Sequence, residues 1–471
     1  MIRPNRTCRL GAGALVALLL AGCATVQPDA EFDQVRGDIE HRTDYHVHWY
    51  QDTDEDDQTQ QAVHELLENE LTAEEAVQIA LLNNRRLQAT YQDLGVAQAD
   101  LVQAGLLSNP VFSGELLFPV DGGSAKLELG VAQSFLEIFY IPLRRQVAES
   151  QLHEAKLTVT GAVLDLAYQT RTAFYAAQAA AQRIEMFEQI VFATELGYDF
   201  AQRLYDAGNI TSLELHEQRD LFEEARMSLR RAERLLQERR ERVNRLMGVF
   251  GNDTQWQIAD RLPDVPEDAP DLEDIETRAI EASLDLAIAG QRIQTAGRQL
   301  GITETTALVP HAELGVEAER QHGDWAVGPT LKLPIPLFDH GQARLARTRA
   351  ELRQQQERYT ALAVEIRSLA RQTREQLEAN EDIASHYQQV ILPLRQRLTN
   401  EAQLQYNAMA VGLIELLRAR ERQIMAGERY IEALHDYWVA RAKIDQLLRG
   451  RTPHHEDHDQ FRADPRAWTT D

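Results

Sequence analysis

Tyr205-Asp206-Ala207-Gly208-Asn209-Ile210-Thr211-Ser212-Leu213-Glu214-Leu215 is answered, about 200 residues later, by Tyr406-Asn407-Ala408-Met409-Ala410-Val411-Gly412-Leu413-Ile414-Glu415-Leu416. The same order recurs upstream of each copy: Asn109-Pro110 is matched by Val309-Pro310, and Phe139 with Arg145 by Phe338 with Arg344. Each copy reads as helix, strand pair, long helix, tight turn, long helix. Solenoid units repeat every ~20 to 50 residues, so a period this long marks a duplicated half of one architecture.

The strand pairs are written in period-two alternation, which gives a strand two chemically different faces. In the second copy Ala312, Leu314, Val316 and Ala318 oppose Glu313, Gly315, Glu317 and Glu319. After Arg320 to Asp324, Trp325, Val327, Leu331 and Leu333 oppose Ala326, Gly328, Thr330 and Lys332. In the first copy Phe112, Gly114, Leu116 and Phe118 oppose Val111, Ser113, Glu115 and Leu117. The turn signal Asp121-Gly122-Gly123-Ser124 follows, then Leu127, Leu129 and Val131 oppose Lys126, Glu128 and Gly130. Strands of about 9 to 10 residues have the length of tilted bilayer crossings. One apolar and one polar face is what a barrel wall between lipid and water requires. A soluble hairpin packed on a helix satisfies the same period. On the membrane reading, Glu115, Glu128, Glu313, Glu317 and Glu319 are lumen acids that favour cations.

The remainder is helical. Thr72 with Glu75 has capping-box spacing, and a helix is predicted from there to about Leu107, ending at Ser108-Asn109-Pro110. Few breakers occur from about Arg144 to Tyr205, where Val163, Leu166, Ala167, Thr170, Phe174 and Ala177 keep three-four spacing. The return helix runs from Leu213 to Leu246, before Gly248 and Gly251. In the second copy the helix from about Gln342 meets Pro393, a predicted kink, and the chain returns to Leu448.

Both ends are polar or targeting segments. Arg3, Arg6 and Arg9 precede the apolar run Leu10 to Ala21, too short for a spanning helix of ~20 residues. Leu20-Ala21-Gly22-Cys23 looks like a bacterial lipobox, in which Cys23 becomes the lipidated first residue, and Ala24 after it implies sorting to the outer membrane. The predicted partition is a lipoprotein signal peptide (1–22), an acidic N-terminal tether (23–70), repeat 1 (71–251), a connector (252–270), repeat 2 (271–449) and a His/acid-rich tail (450–471). With only Cys8 and Cys23, the body has no disulfide framework and no thiolate metal site. A net charge of −25 excludes nucleic-acid binding through a general basic field. His454, His455 and His458 beside acids are the weak candidate metal ligands, and a solvated tail that binds nothing specific is the favoured alternative; no cofactor is expected. The chain carries no phosphate-binding loop, nucleophile elbow or zinc-protease His pair, so it is read as a non-enzyme whose energy comes from a partner.

Four strands cannot close a barrel, and an open edge inside lipid leaves backbone groups unsatisfied. Two chains give eight strands and a filled interior, three give twelve and a lumen; composition does not choose. The two Tyr-x-x-Gly-like turns with their acid and leucine, the stretch Leu136 to Arg145, and Pro334-Ile335-Pro336-Leu337-Phe338-Asp339 resemble the TolC-like outer-membrane efflux proteins, in the lipidated branch that serves tripartite pumps. The resemblance covers about residues 71–449. It implies a mainly α fold with a small β part: long coiled-coil-like helical hairpins plus four amphipathic transmembrane strands per protomer. Such a chain closes as a homotrimeric αβ-barrel in Gram-negative outer membrane lipid. The trimer is a passive export channel for small molecules or metal ions, with a periplasmic adaptor (membrane-fusion) protein and an inner-membrane pump at the far end.

The same resemblance makes Gly208, Asn209, Ile210, Thr211 and Ser212, with Met409, Ala410, Val411 and Gly412, the adaptor-docking tips; two ordinary helical-hairpin turns would read alike. The family's Asp-x-x-Asp beyond the second turn is here Glu415-Leu416-Leu417-Arg418. Glu415 keeps the charge and Arg418 departs from it, so the two become gate candidates as an ion pair between protomers; a solvated helix pair is the alternative. A periplasmic coiled-coil scaffold or adaptor lipoprotein without a pore is the competing reading of the whole chain.

Overall fold

The computed structural model describes residues 29–118, 120, 125–258, 261–266, 271–307, 312–322 and 324–453. The leader, Cys23, the turn 121–124, Val309-Pro310, the connector end 267–270 and His454, His455 and His458 lie outside them. The described chain forms two compact units, and each draws on both repeats. One takes residues up to Val35, Tyr91–Leu157 and Ile288–Tyr359; the other takes Arg36–Thr90, Thr158–Ala287 and the chain from Thr360 onward.

The N-terminal segment corrects the expectation of a tether. Helices α1 (Asp29–Arg42) and α2 (Asp54–Leu67) flank an extended strap, residues 43–50. Along the strap Thr43, Tyr45, Val47 and Trp49 are buried, while Asp44 and His46 face out. This is strand alternation hidden inside an acidic stretch. Among the described residues no neighbouring strand supplies the ladder; two glutamines do. The Gln78 amide accepts from His46 N (3.2 Å) and donates to His46 O (2.9 Å), and Gln88 accepts from Tyr50 N (2.9 Å) and donates to His48 O (2.8 Å). The acidic run 52–57 starts α2, where the buried Asp56 carboxylate accepts from Thr53 N (3.0 Å), Gln51 N (3.1 Å) and His48 Nε2 (2.5 Å).

Strand β1 (Glu70–Leu71) leads to α3 (Ala73–Asn83) and α4 (Arg85–Ala104). Thr72 and Glu75 form the predicted box: Glu75 N donates to Thr72 Oγ1 (3.2 Å) and Thr72 N to Glu75 Oε2 (2.8 Å). The helix expected to run unbroken to about Leu107 is interrupted at Asn84, which is extended (φ −68°, ψ 113°). Its side-chain oxygen accepts from Arg86 N and Leu87 N, so Asn84 closes one helix and caps the next.

Strands β2 (Val111–Leu117) and β3 (Lys126–Ser134) precede α5 (Glu137–Asp206), a single helix of 70 residues and roughly 105 Å. It begins seven residues before the expected start at Arg144 and carries Pro142 in its second turn. The chain returns through α6 (Ser212–Met247) to β4 (Gln257–Ile258), which pairs parallel with β1. Repeat 2 follows as α7 (Ile275–Ala282), α8 (Leu284–Thr306), β5 (Glu313–Gln321), β6 (Asp324–Lys332), α9 (Gln342–His386), α10 (Leu392–Asn407) and α11 (Leu413–Leu448). The kink expected at Pro393 is a π-turn, Tyr387–Ile391, immediately before it. Proline removes the donor that would close the preceding rung, and one extra residue per turn absorbs the mismatch.

The second unit holds its core around Phe174, which stacks on Trp256 at 5.9 Å, with Leu71, Ile79, Val243, Met247 and Leu434. Trp256 Nε1 donates to Asn244 Oδ1 (2.7 Å), and Arg240 lies over the indole at 4.1 Å. The first residues assigned to the tail are built in: buried Arg451 is ion-paired to Asp165 and Asp285.

Candidate functional site

The four strands β2-β3-β5-β6 form one antiparallel sheet, and the two repeats meet at the β3–β5 pair. Register decides which side chains share a face. Glu115 lies opposite Glu128, Glu128 opposite Glu319, Gly130 opposite Glu317, and Ser134 opposite Glu313. All five acids singled out in the sequence therefore stand on one face. The other face carries Phe112, Leu116, Leu127, Leu129, Val131, Leu314, Val316, Trp325, Val327 and Leu331. Much of this apolar face is open: Phe112 and Val327 are each 69% exposed, and Leu331 63%. At the hairpin end, Arg320 packs over the Trp325 ring (5.8 Å). The outer edges of β2 and β6 have, among the described residues, no strand beside them. Among the described residues, no helix is long and apolar enough to cross a membrane.

Lys126 was not singled out in the sequence. It stands at the start of β3 on the acidic face, ion-paired to Glu128 and with its Nζ 3.0 Å from Glu319. Its scarcity was the available signal, since lysine occurs only four times in the chain.

The helical turns at the far ends of the hairpins have one geometry. At the first, Gly208 takes φ +73°, Gly208 N donates to Tyr205 O (2.8 Å) and Asn209 N to Leu204 O (2.8 Å). At the second, Met409 takes φ +59°, Met409 N donates to Tyr406 O (2.9 Å) and Ala410 N to Gln405 O (2.9 Å). Both follow the left-handed helix-ending pattern that recaptures terminal carbonyls. Gly208, Asn209, Thr211, Ser212, Met409, Ala410 and Gly412 are exposed, with Ile210 and Val411 half-buried. Thr211 starts α6 with a complete box: Glu214 N donates to Thr211 Oγ1 (3.3 Å), and Thr211 N to Glu214 Oε2 (2.8 Å). Gly412 starts α11 with no side chain to offer.

Glu415 and Arg418 are both exposed in the first turns of α11, and among the described residues no ion pair joins them. Nearby, helix α5 approaches α11 closely at Gly197, where a Cβ would stand 3.0 Å from Leu417 Cδ1. Further along the same seam Arg183 pairs with Glu428 at 2.6 Å.

Residues 76–249 match the family described as "OEP: Outer membrane efflux protein". The chain is 24% identical over 401 residues to the cobalt-zinc-cadmium resistance protein CzcC of Cupriavidus metallidurans, covering 80% of this chain and 90% of that protein. Among solved structures, CusC, studied for transmembrane channel formation, superposes with a TM-score of 0.65 at 15% identity, over 80% of this chain and 92% of CusC. The outer membrane protein VceC of Vibrio cholerae gives 0.65 at 14% identity, over 80% and 96%.

Proposed function

We propose that the chain is a TolC-like outer-membrane efflux protein and that three copies close into a passive export channel of a tripartite pump. The observation that carries the reading is the sheet. A face of exposed Phe, Val, Leu and Trp backs onto a face of Glu and Lys, and both edges are open. In water such an apolar face is a liability, and in lipid such edges are forbidden. Closure by neighbouring copies removes both problems at once. Three chains supply about twelve strands, enough to leave a lumen where about eight would fill with side chains.

In this assembly the apolar face meets lipid, and Glu115, Glu128, Glu313, Glu317 and Glu319 face the water column. Acyl chains on Cys23 anchor the N-terminus, with about 0.8 kcal/mol per buried methylene. The helical hairpins extend the lumen into the periplasm. The tips at Gly208–Ser212 and Met409–Gly412 receive an adaptor protein, behind which an inner-membrane pump supplies the energy. Divalent metal ions are the proposed cargo: the relative CzcC is named for cobalt, zinc and cadmium resistance, and the acidic face attracts cations. Glu415 of one protomer against Arg418 of the next holds the mouth shut. A single exposed pair contributes ~0–1 kcal/mol, so threefold repetition matters.

The test is extraction and electrical recording. A heat-modifiable trimer from the membrane fraction that forms pores in planar bilayers supports the channel, and Arg418→Ala should raise its conductance. A carbonate-soluble monomer that forms no pores would overturn the channel and leave a periplasmic scaffold.

A further inference from the structure

The acidic face is not uniformly acidic, and its levels can be taken in turn from the helix end to the hairpin end. At the first level Ser134, Glu313 and Lys332 stand side by side across three strands, one acid against one base. The next, Val111, Ala132, Gly315 and Thr330, is uncharged. Then Ser113, Gly130, Glu317 and Gly328 carry a single acid. The fourth level sets Glu115, Glu128 and Glu319 directly opposite one another, with Ala326 on the last strand. Directly opposed like charges destabilise a sheet. The base that answers them is Lys126, reaching back from the next level, whose ammonium is ion-paired to Glu128 and lies 3.0 Å from Glu319; among the described residues no ion pair engages Glu115.

We propose that Lys126 is a selectivity-determining residue of the export path, setting how strongly the carboxylate level at the outer end of the sheet favours cations. This rests on the trimeric channel proposed above. Each chain contributes three carboxylates at this level, and Lys126 reaches back to it from the next level, where it stands opposite Leu117 and where Asp324 also lies. The three carboxylates and the ammonium give a closed trimer a ring of −6. Without the ammonium the ring is −9. In a lumen lined by one sign of charge the field sets the local concentration of counter-ions, so the ring acts on selectivity more than on pore width. A tethered ammonium, unlike a mobile counter-ion, keeps the attraction partial. Passage requires binding strong enough to enter and weak enough to leave.

Reversal potentials of the purified trimer in planar bilayers under a KCl gradient test this. The wild-type pore is expected to be cation-selective. Lys126→Gln should move the reversal potential further toward the potassium equilibrium potential, Lys126→Arg should match wild type, and Glu319→Gln should move it the other way. A residue that only relieved strand repulsion would change assembly or thermal stability and leave the reversal potential in place. Identical reversal potentials for wild type and Lys126→Gln would overturn the proposal. Should Lys126→Gln not assemble, Glu319→Gln decides alone, and no shift in it overturns the proposal equally. A wild-type trimer that forms no pores at all would instead overturn the channel, and this inference with it.

Discussion

The two helical hairpins end in the same turn but are not built alike. The first descends as one unbroken helix to Asp206, turns on Gly208, and restarts at Thr211 with a two-way cap to Glu214. Its arms are clasped by Tyr198 stacked on Phe222 (6.1 Å, 9°). The second descends through a π-turn at Tyr387–Ile391, turns on Met409, and restarts at Gly412 with no side-chain cap. Its arms are joined by polar contacts, Thr399 Oγ1 to Ala419 O (3.2 Å) and Gln423 to Gln396. One hydrogen-bond topology has therefore been filled by a residue that suits left-handed backbone and by one that does not. The side chain of Met409 recovers nothing within the protomer, being 94% exposed. The two copies keep the shape of the tip, and the second holds it with a strained residue and without a side-chain cap.

Exchanging the turn residues breaks the comparison most directly. Left-handed backbone costs a residue with a Cβ ~1–2 kcal/mol, and losing the backbone freedom of glycine offsets ~0.5–1 kcal/mol of that, so Gly208→Met should destabilise by up to about 1 kcal/mol. The reverse change, Met409→Gly, relieves the same strain and brings back the same backbone entropy, so it should stabilise by a similar net amount, below about 1 kcal/mol. Thermal or denaturant unfolding of the extracted protein reads both. Equal and opposite effects at the two sites would mean that the two turns differ only in the residue that fills them, and equal losses would mean that Met409 has contacts the protomer does not show.

Native-state amide exchange sharpens the same contrast without mutation. Turn strain and a missing side-chain cap together lower the opening free energy of the second tip by roughly 1.4 kcal/mol, a factor of about ten in exchange rate. Amides from about 387 to 415 should exchange that much faster than those from about 190 to 215. Equal protection would show that contacts outside the protomer, not local chemistry, set the stability of the tips.

Periodicity carried most of the architecture. The strands and their faces were legible because two environments were written into alternate residues, and the register keeps every acid from Glu115 to Glu319 on one side. The turns were legible from Gly208 and from the repeat. What stayed hidden depended on distant partners. The strap at 43–50 has strand alternation, but its ladder comes from Gln78 and Gln88, side chains that no strand pattern announces. The break at Asn84 turns on one side chain that caps the following helix, in a run otherwise suited to helix. Lys126 became notable only when register set it between Glu128 and Glu319. Local pattern is written along the chain, whereas satisfaction of polar groups is settled across it.

The smallest predicted effect bears on what each tip does with its acid. Glu214 and Glu415 occupy the same place, three residues after the helix cap. Glu214 is engaged: hydrogen bonds from the Thr211 amide and hydroxyl hold its carboxyl below the usual glutamate range, against a small opposing effect of burial. Glu415 faces Gly412, which has no hydroxyl to return, and no cap hydrogen bond engages it among the described residues. Losing the Thr211 cap by Thr211→Ala should destabilise the first hairpin by about 1 kcal/mol at neutral pH. A carboxyl whose pKa is depressed in the folded state contributes stability above its ordinary value of about 4.3, and that contribution is lost as pH falls through the folded value. The Thr211→Ala penalty should therefore shrink in acid. Gly412→Thr transplants the first tip's cap onto the second. It should add only a few tenths of a kcal/mol, yet it draws Glu415 back toward its own helix and away from Arg418 of a neighbour. Single-channel conductance then separates the two uses of one position: Gly412→Thr should open the pore much as Arg418→Ala does, while leaving the fold slightly more stable. Unchanged conductance in both variants would mean that the free acid at the second tip has no part in closing the mouth.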